Sequence, residues 1–529
     1  MRSGVAAPHV PVTYGEQVKA PRLVLASAAL LLLPLLVAGP NAMAASATDA
    51  AAAVAADDVP ADLVPFYTQT LVWTPCAGGL ECTWLTVPLD YSNPAAAQIT
   101  IRVNRQKAKG PADQRQGSLV INPGGPGGTG LDFTSYVATQ IAPKVNVAFD
   151  IVGFDPRGVG QSAPVTCLTG RQTTIFLESN STPDTPAEIA DSMRLARGLS
   201  NGCLKFSPNL ARHVGTENTV RDMDILRAAL GDANLNWLGF SYGTYLGSLY
   251  TEAFPNHVGR FVLDGAMNPA NNLMQMNQGQ SRGFQVALTR WAADCSKLAS
   301  CPYKGSTKSV LAGINALLDK LETTTMPAGG KRRLNQSSAL TGITYSMYAK
   351  QLWPWLRTAL RRANVNDGSG LLILADMAND RTGPNTYAGN MTSAFYAIGC
   401  WDEPATPGPA GLAAAARILS RNAPVPKVAQ AIVWSTAPCS VWFGHTTRVP
   451  APVKTTTTAP ILIVGNIYDP ATPYPWAVAL SKQLTTSTLL TFNGDGHTAY
   501  GSSGSACIDN AVDAYLLTGT PPAPGIVCN

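Results

Sequence analysis

The sequence predicts an α/β fold: a mostly parallel sheet covered on both faces by helices, with a large, mainly helical insertion. Three observations lead there. Short apolar runs that read as buried strands alternate with stretches of helical spacing over residues 66–266, and again over 451–529. Between them, from 267 to 450, helical segments dominate. Finally, 46% apolar against 13% charged residues in a chain of 529 can fill a sizeable core.

The elements follow in order. Residues 1–44 read as an export signal. Lys19 and Arg22 lead into the apolar run 23–39, and Ala42-Met43-Ala44 fits a small-residue cleavage site. The stretch before the run is long, which leaves room for a translation start after Met1. An uncleaved anchor is the competing reading, but an apolar run of about 17 residues containing Pro34 is marginal for a full span. Residues 45–65 are Ala-rich and read as a disordered lead-in. Residues 83–88 and 99–105 read as antiparallel strands around a turn at Asn93-Pro94, and 118–121 and 147–154 as buried strands. A helix over 217–230 ends at Gly231. The strand 235–238, the helix 244–254 and the strand 260–263 follow, the last closed by Asp264-Gly265. Inside the insertion, 283–299, 310–322 and 347–363 have helical spacing. The core resumes with a strand at 459–464, a helix at 476–484, a strand at 488–492 and a closing helix at 506–517. There are no internal repeats.

Composition excludes several classes of function. A net charge of +5 is small, and no basic run exceeds Lys331-Arg332-Arg333, so nucleic-acid binding has no electrostatic footprint. No stretch after the signal is long and apolar enough to cross a membrane, so no stable membrane association is expected once the signal is cleaved. The ten cysteines of an exported chain should be oxidised. They fall in neighbouring pairs: Cys76 and Cys82, Cys167 and Cys203, Cys295 and Cys301, Cys400 and Cys439, Cys507 and Cys528. Sequential pairing is the simplest connectivity, although sequence alone does not fix it. Cys-x5-Cys spacings without a nearby His do not make a zinc site.

Gly239-Phe240-Ser241-Tyr242-Gly243 fits G-x-S-x-G, with an expected strand before it and an expected helix after it. A strand that turns at once into a helix strains the Ser between them, and only small neighbours let the turn close. The hydroxyl is then presented at the carboxyl end of the sheet, beside a helix N-terminus. Ser241 is therefore the candidate nucleophile. It needs a base, and α/β-hydrolases run Ser, then acid, then His. Of the five histidines, His9 lies in the signal and His213 precedes the Ser. Among His257, His445 and His497, the last directly follows a strand, in Gly494-Asp495-Gly496-His497, and is the expected base. Asp469 follows the strand 459–464 and is the expected acid, ahead of Asp264, Asp402 and Asp495.

An oxyanion hole needs two N–H donors, one from Tyr242 and one from the loop after an early strand. In Asn122-Pro123-Gly124-Gly125-Pro126-Gly127-Gly128-Thr129-Gly130 the prolines have no N–H. Gly124 and Gly125 are the nearest donors, and Gly125 is chosen. The same loop also satisfies G-x-G-x-x-G from Gly125 to Gly130, with Asp150 downstream as a dinucleotide site would want. That reading leaves the order Ser241, Asp469, His497 unexplained, and such a cofactor is hard to retain outside the cell. No cofactor and no metal are expected.

The strings INPGGPGGTG, FDPRGVGQS, GFSYGTYLGSLY, RFVLDGAMNP, VGNIYDPATPYPWA and GDGHTAY resemble the secreted tripeptidyl aminopeptidases of actinobacteria and their proline iminopeptidase relatives. The likeness covers about residues 70–528, apart from much of the insertion. It implies an α/β-hydrolase core and a serine exopeptidase that takes peptides with a free N-terminus. The chain is expected to be a monomer. The family's triad falls on Ser241, Asp469 and His497. Arg157, in Asp155-Pro156-Arg157-Gly158, reads as a buttress of the active-site floor. An aminopeptidase must also recognise an α-ammonium group, most simply with a carboxylate from the insertion. Asp402 and Glu403, in Cys400-Trp401-Asp402-Glu403, are the candidates, with a solvated acidic turn as the equal alternative. Two other classes stay open. One is a secreted carboxylesterase or lipase with the same triad. The other is a non-enzymatic binding protein on this scaffold, against which the intact triad argues.

Overall fold

The computed structural model describes residues 59–529. The expected signal and most of the lead-in lie outside the described residues. Within the part of the lead-in that is described, Val64–Tyr67 is a short helix, and Leu63 and Phe66 pack on the core. The packed chain therefore begins ahead of the expected boundary.

The sheet is built from β1 (Thr74–Pro75), β2 (Glu81–Pro88), β3 (Gln98–Gln106), β4 (Ser118–Asn122), β5 (Asp150–Phe154), β6 (Leu235–Phe240), β7 (Val258–Asp264), β8 (Ile461–Tyr468), β9 (Ser487–Asp495) and β10 (Val527–Cys528). Its ten strands lie in the order β1-β2-β3-β5-β4-β6-β7-β8-β9-β10. β1, β2, β3 and β5 pair antiparallel, and every later pairing is parallel. The central strands are near-continuous apolar runs because both faces are covered. On β8, Ile461 and Ile463 join one core cluster, while Leu462 and Val464 join the cluster on the other face. Helices Thr216–Ala229 and Tyr242–Ala253 cover the first face, and Gly130–Tyr136 and Ala506–Thr518 the second. The result is an α/β-hydrolase core.

Between β7 and β8 the chain is mainly helical. Leu273–Ser296, Thr307–Thr323, Gln336–Tyr345, Trp353–Asn364, Ser369–Ala378 and Pro426–Trp434 share a hydrophobic core of their own. Side chains of Asn272, Ser306 and Asn335 cap three of these helices by accepting from the N–H of Gln275, Ser309 and Ser338. Helix Met391–Trp401 behaves differently. Its Ala394, Ala397 and Ile398 join the core of the main sheet. Its N-terminus is tied down by Asn390, which donates to the carbonyls of Gly158 and Val165 and accepts from Gly160 N–H.

Two expectations shift. The strand expected over 147–154 starts only at Asp150, because the Asn146 side chain donates to the carbonyls of Lys107 and Phe149 and holds 145–147 as a turn. Helix Pro186–Phe206 was not anticipated, although Thr185 and Glu188 form a capping box at its start. The cysteines form the five neighbouring disulfides, and none is free among the described residues.

Candidate active site

Ser241 joins β6 to helix Tyr242–Ala253 with φ 54° and ψ −119°, a conformation that costs energy for any residue with a side chain. Its neighbours explain how the turn closes. A Cβ on Gly239 would lie 2.3 Å from the Gly243 carbonyl oxygen, and one on Gly243 2.9 Å from that of Asn122. The Ser241 N–H donates to the Asp264 carbonyl on the adjacent strand at 2.9 Å.

The loop after β4 runs directly against this elbow. Gly124 has φ 93°, and a Cβ there would meet the Phe240 carbonyl oxygen at 2.5 Å and Tyr242 N at 3.0 Å. The Asn122 side chain takes the Gly124 N–H at 2.9 Å. The Gly125 N–H has no acceptor among the described residues, and the Tyr242 N–H, first in its helix, has no intrahelical one. Asp150 stands at the start of β5 and is paired with Arg105 and Arg115.

Asp469 follows β8 in a turn that its own side chain closes, accepting from Ala471 N–H at 2.9 Å and Thr472 N–H at 2.8 Å. Its carboxylate meets His497 Nδ1 at 3.0 and 2.9 Å. The Thr472 hydroxyl touches both, 3.1 Å from Asp469 Oδ2 and 3.2 Å from His497 Nδ1. His497 sits on the loop after β9, which several groups hold. Asn466 donates to the carbonyls of Gly496 and Thr498. The His497 N–H donates to the Tyr348 carbonyl at 2.7 Å, and the Tyr348 ring meets the imidazole edge-on. Burial opposes protonation of His497, but the charge and hydrogen bond of Asp469, with Asp264 adding, outweigh it and hold the imidazole above its ordinary value. Neither Ser241 Oγ nor His497 Nε2 has a hydrogen-bond partner among the described residues. In unliganded hydrolases such contacts commonly tighten only when substrate arrives.

The rival groups are engaged elsewhere. His257 pairs with Asp224 at 2.9 Å, and His445 bonds the Thr446 carbonyl. Asp495 pairs with Arg290 and Lys350. The Asp264 side chain accepts from the N–H groups of Ala499 and Tyr500. Asp402 accepts from the Thr216 N–H at 2.9 Å and from its hydroxyl, which also bonds the Tyr242 hydroxyl. Glu403 is buried and accepts from Leu273 N–H at 3.2 Å through Oε2, while Oε1 has no donor among the described residues. Burial pushes both acids up to about 7.

The serine protease Hip1 of Mycobacterium tuberculosis is 35% identical over 485 residues, which cover 87% of this chain and 91% of that protein. The chain belongs to the TAP-like family of serine hydrolases. The family model described as TAP-like protein matches residues 423–528, the part of this TAP-like hydrolase that carries Asp469, Thr472 and His497. The tripeptidyl aminopeptidase of Streptomyces lividans is 33% identical, covering 86% of this chain and 86% of that protein. Carboxylesterase B of M. tuberculosis is 34% identical, covering 85% and 86%.

Sequence reasoning missed Asn122, Asn466, Thr472 and Tyr348 in the TAP-like site. Thr472 had a signal, since Asp469-Pro470-Ala471-Thr472 reads as a turn closed by an Asp side chain. Asn122 ends a strand before Pro-Gly-Gly, which is a weaker cue. Asn466 and Tyr348 act through distant contacts and had none.

Proposed function

We propose that this TAP-like hydrolase is an exported serine exopeptidase that releases short peptides or single residues from free N-termini through an acyl-enzyme on Ser241. Ser241 Oγ attacks the scissile carbonyl carbon, and its proton passes to His497 Nε2. Asp469 keeps Nδ1 protonated and stabilises the imidazolium. The N–H groups of Gly125 and Tyr242 take the developing oxyanion. The imidazolium returns the proton to the leaving amine, and water, activated by His497, releases the acyl group. Five disulfides and the signal-like residues 1–44 support export to an oxidising compartment.

The observation that carries the exopeptidase part is the pair of carboxylates, Asp402 half-buried and Glu403 buried, at the end of helix Met391–Trp401. Burial first, and then the Asp402 charge, hold the Tyr242 phenol far above its ordinary range, and the charges of both acids act on Tyr245. Carboxylates placed beside the elbow helix gain most when an ammonium group arrives. The two divide the work. Asp402 is committed to Thr216, while Glu403 keeps an oxygen free for the substrate amine. The second reading, a carboxylesterase, rests on the relative of that name.

One peptide, with and without an N-acetyl group, separates them. A charge-assisted hydrogen bond is worth about 1.5–3 kcal/mol, so acetylation should cost roughly ten- to a hundredfold in kcat/KM. Glu403→Gln should cost the free-amine peptide a similar factor and change a simple acyl ester little. Equal turnover of both peptides by the native enzyme would discard the exopeptidase reading in favour of an esterase or endopeptidase that does not read the amine.

A further inference from the structure

We infer that Asp264 is a positioning residue that locks the His497 loop to the Ser241 elbow, a role that rests on the Ser241–Asp469–His497 reading above. Asp264 and Gly265 stand where the three parts of the site meet. The Asp264 carbonyl accepts the Ser241 N–H at 2.9 Å, which fixes the strained residue from the neighbouring strand. The Gly265 N–H donates to the Val464 carbonyl at 3.1 Å, on the strand that leads to Asp469. The Asp264 carboxylate reaches the other way. Oδ1 and Oδ2 accept from Ala499 N–H at 3.1 and 3.0 Å, and Oδ2 accepts from Tyr500 N–H at 2.8 Å. These are the N–H groups two and three residues after His497. A Cβ on Gly265 would touch His497 Cε1 at 3.1 Å and Thr472 Oγ1 at 3.2 Å, so the imidazole lies directly over this pair.

The chemistry of the residue fits the task. Asp264 is fully buried and receives only N–H donors, so an acceptor-only carboxylate satisfies all of them. Its backbone holds the nucleophile and its side chain holds the base, so one residue couples their separation. The groups that face His497 are Asp469 and Thr472 from the acid turn, Tyr348 from the insertion, and Asp264 from below. The residues on Asp264 itself are Ala499 and Tyr500, and the Tyr500 hydroxyl is taken by Asp513. Burial pushes the Asp264 carboxyl up to about 7, so it is a negative group behind the imidazole above that pH, second to Asp469.

The test compares Asp264→Asn and Asp264→Ala with the native enzyme on an acyl ester, so that amine recognition does not enter. Competent sites are counted by fluorophosphonate labelling of Ser241, which separates misfolded protein from slow protein. Asp264→Ala leaves the loop N–H groups unmet. Its kcat per labelled site should fall about ten- to a hundredfold with KM nearly unchanged, as for a small misplacement of a reacting group. Asn retains an acceptor and should restore kcat to within about threefold of native. Both variants lose a carboxyl, held by burial at about 7, that raises His497, so the acid limb of kcat/KM should move to lower pH. If the Ala variant does not fold, the Asn variant carries the test through its pH limb. An unmoved limb in Asp264→Asn, or an Ala variant with native kcat per labelled site, overturns the inference. Turnover surviving in Ser241→Ala would instead remove the reading beneath it.

Discussion

Arg157 gives the sharpest stability prediction. Its guanidinium is fully buried, and each N–H has an acceptor. Nε and one terminal nitrogen meet Asp222 at 2.7 and 2.6 Å, and the remaining groups reach the carbonyls of Pro88, Leu89 and His213 at 2.9 to 3.0 Å. Arg157→Met removes all of these and strands the Asp222 carboxylate, which keeps only the Tyr91 hydroxyl at 2.7 Å as a side-chain donor. Breaking a buried pair from one side costs about 3–5 kcal/mol. At about 2.1 cal/mol/K of unfolding entropy per residue, a chain of this length has roughly 1 kcal/mol/K, so Tm should fall by ~3–5 °C.

The loss should depend on pH. Burial already holds the Asp222 carboxyl above its ordinary value, with Arg157 pulling it down. Without Arg157 it rises further. The folded chain then binds more protons than the unfolded one, so stability falls as pH rises through that range. Scanning fluorimetry at about pH 5.5 and about pH 8.5 should therefore show the larger deficit at the higher pH. Arg157→Met/Asp222→Asn, which leaves no stranded charge, should recover part of it. A single variant within about 1 °C of native, or an equal loss at both pH values, refutes the reasoning.

Two further outcomes are expected. Ser241→Ala should remove turnover and fluorophosphonate labelling with the fold intact, leaving only the roughly 10³- to 10⁴-fold over water that an oxyanion hole supplies. Retention of a tenth of the native rate would assign the nucleophile elsewhere. Because His497 is held above its ordinary value and must be neutral to accept a proton, kcat/KM should drop on acidification, starting above the ordinary imidazole range. Glu403, pushed up to about 7, takes a proton in the same range, so the limb should be steeper for free-amine peptides than for esters. Superimposable limbs for the two substrates would remove Glu403 from amine recognition.

What could be read from the sequence was what local patterns control. The continuous apolar run Ile461 to Val464 and the flanking glycines of Ser241 are each local signals, and so is the elbow they predict. The helix Pro186–Phe206 was missed even though its capping box was in plain sight, because Gly198 and Gly202 weaken its helical pattern. Asp402 and Glu403 could be recognised as acids beside an aromatic, but not told apart. The contact that commits Asp402 to Thr216 spans 186 residues, and the one on Glu403 spans 130. Asp264 could be recognised as a strand-end acid, whereas its grip on Ala499 spans 235 residues. Long-range pairing of this kind leaves no periodicity behind.

The hold of Tyr348 on His497 bears on how such proteins can be recombined. The helical segment between β7 and β8 would be the obvious piece to exchange between relatives to change substrate preference. Yet the Tyr348 carbonyl receives the His497 N–H, and Arg290 and Lys350 from the same segment clasp Asp495 just ahead of it. A chimera cut at the ends of the insertion would import a foreign mount for the base along with the new specificity. The usable seam runs inside the insertion. Residues 345–350, the Asp495-facing side of helix Leu273–Ser296 and helix Met391–Trp401, which packs into the main-sheet core, belong with the sheet, and the remaining helices can be traded.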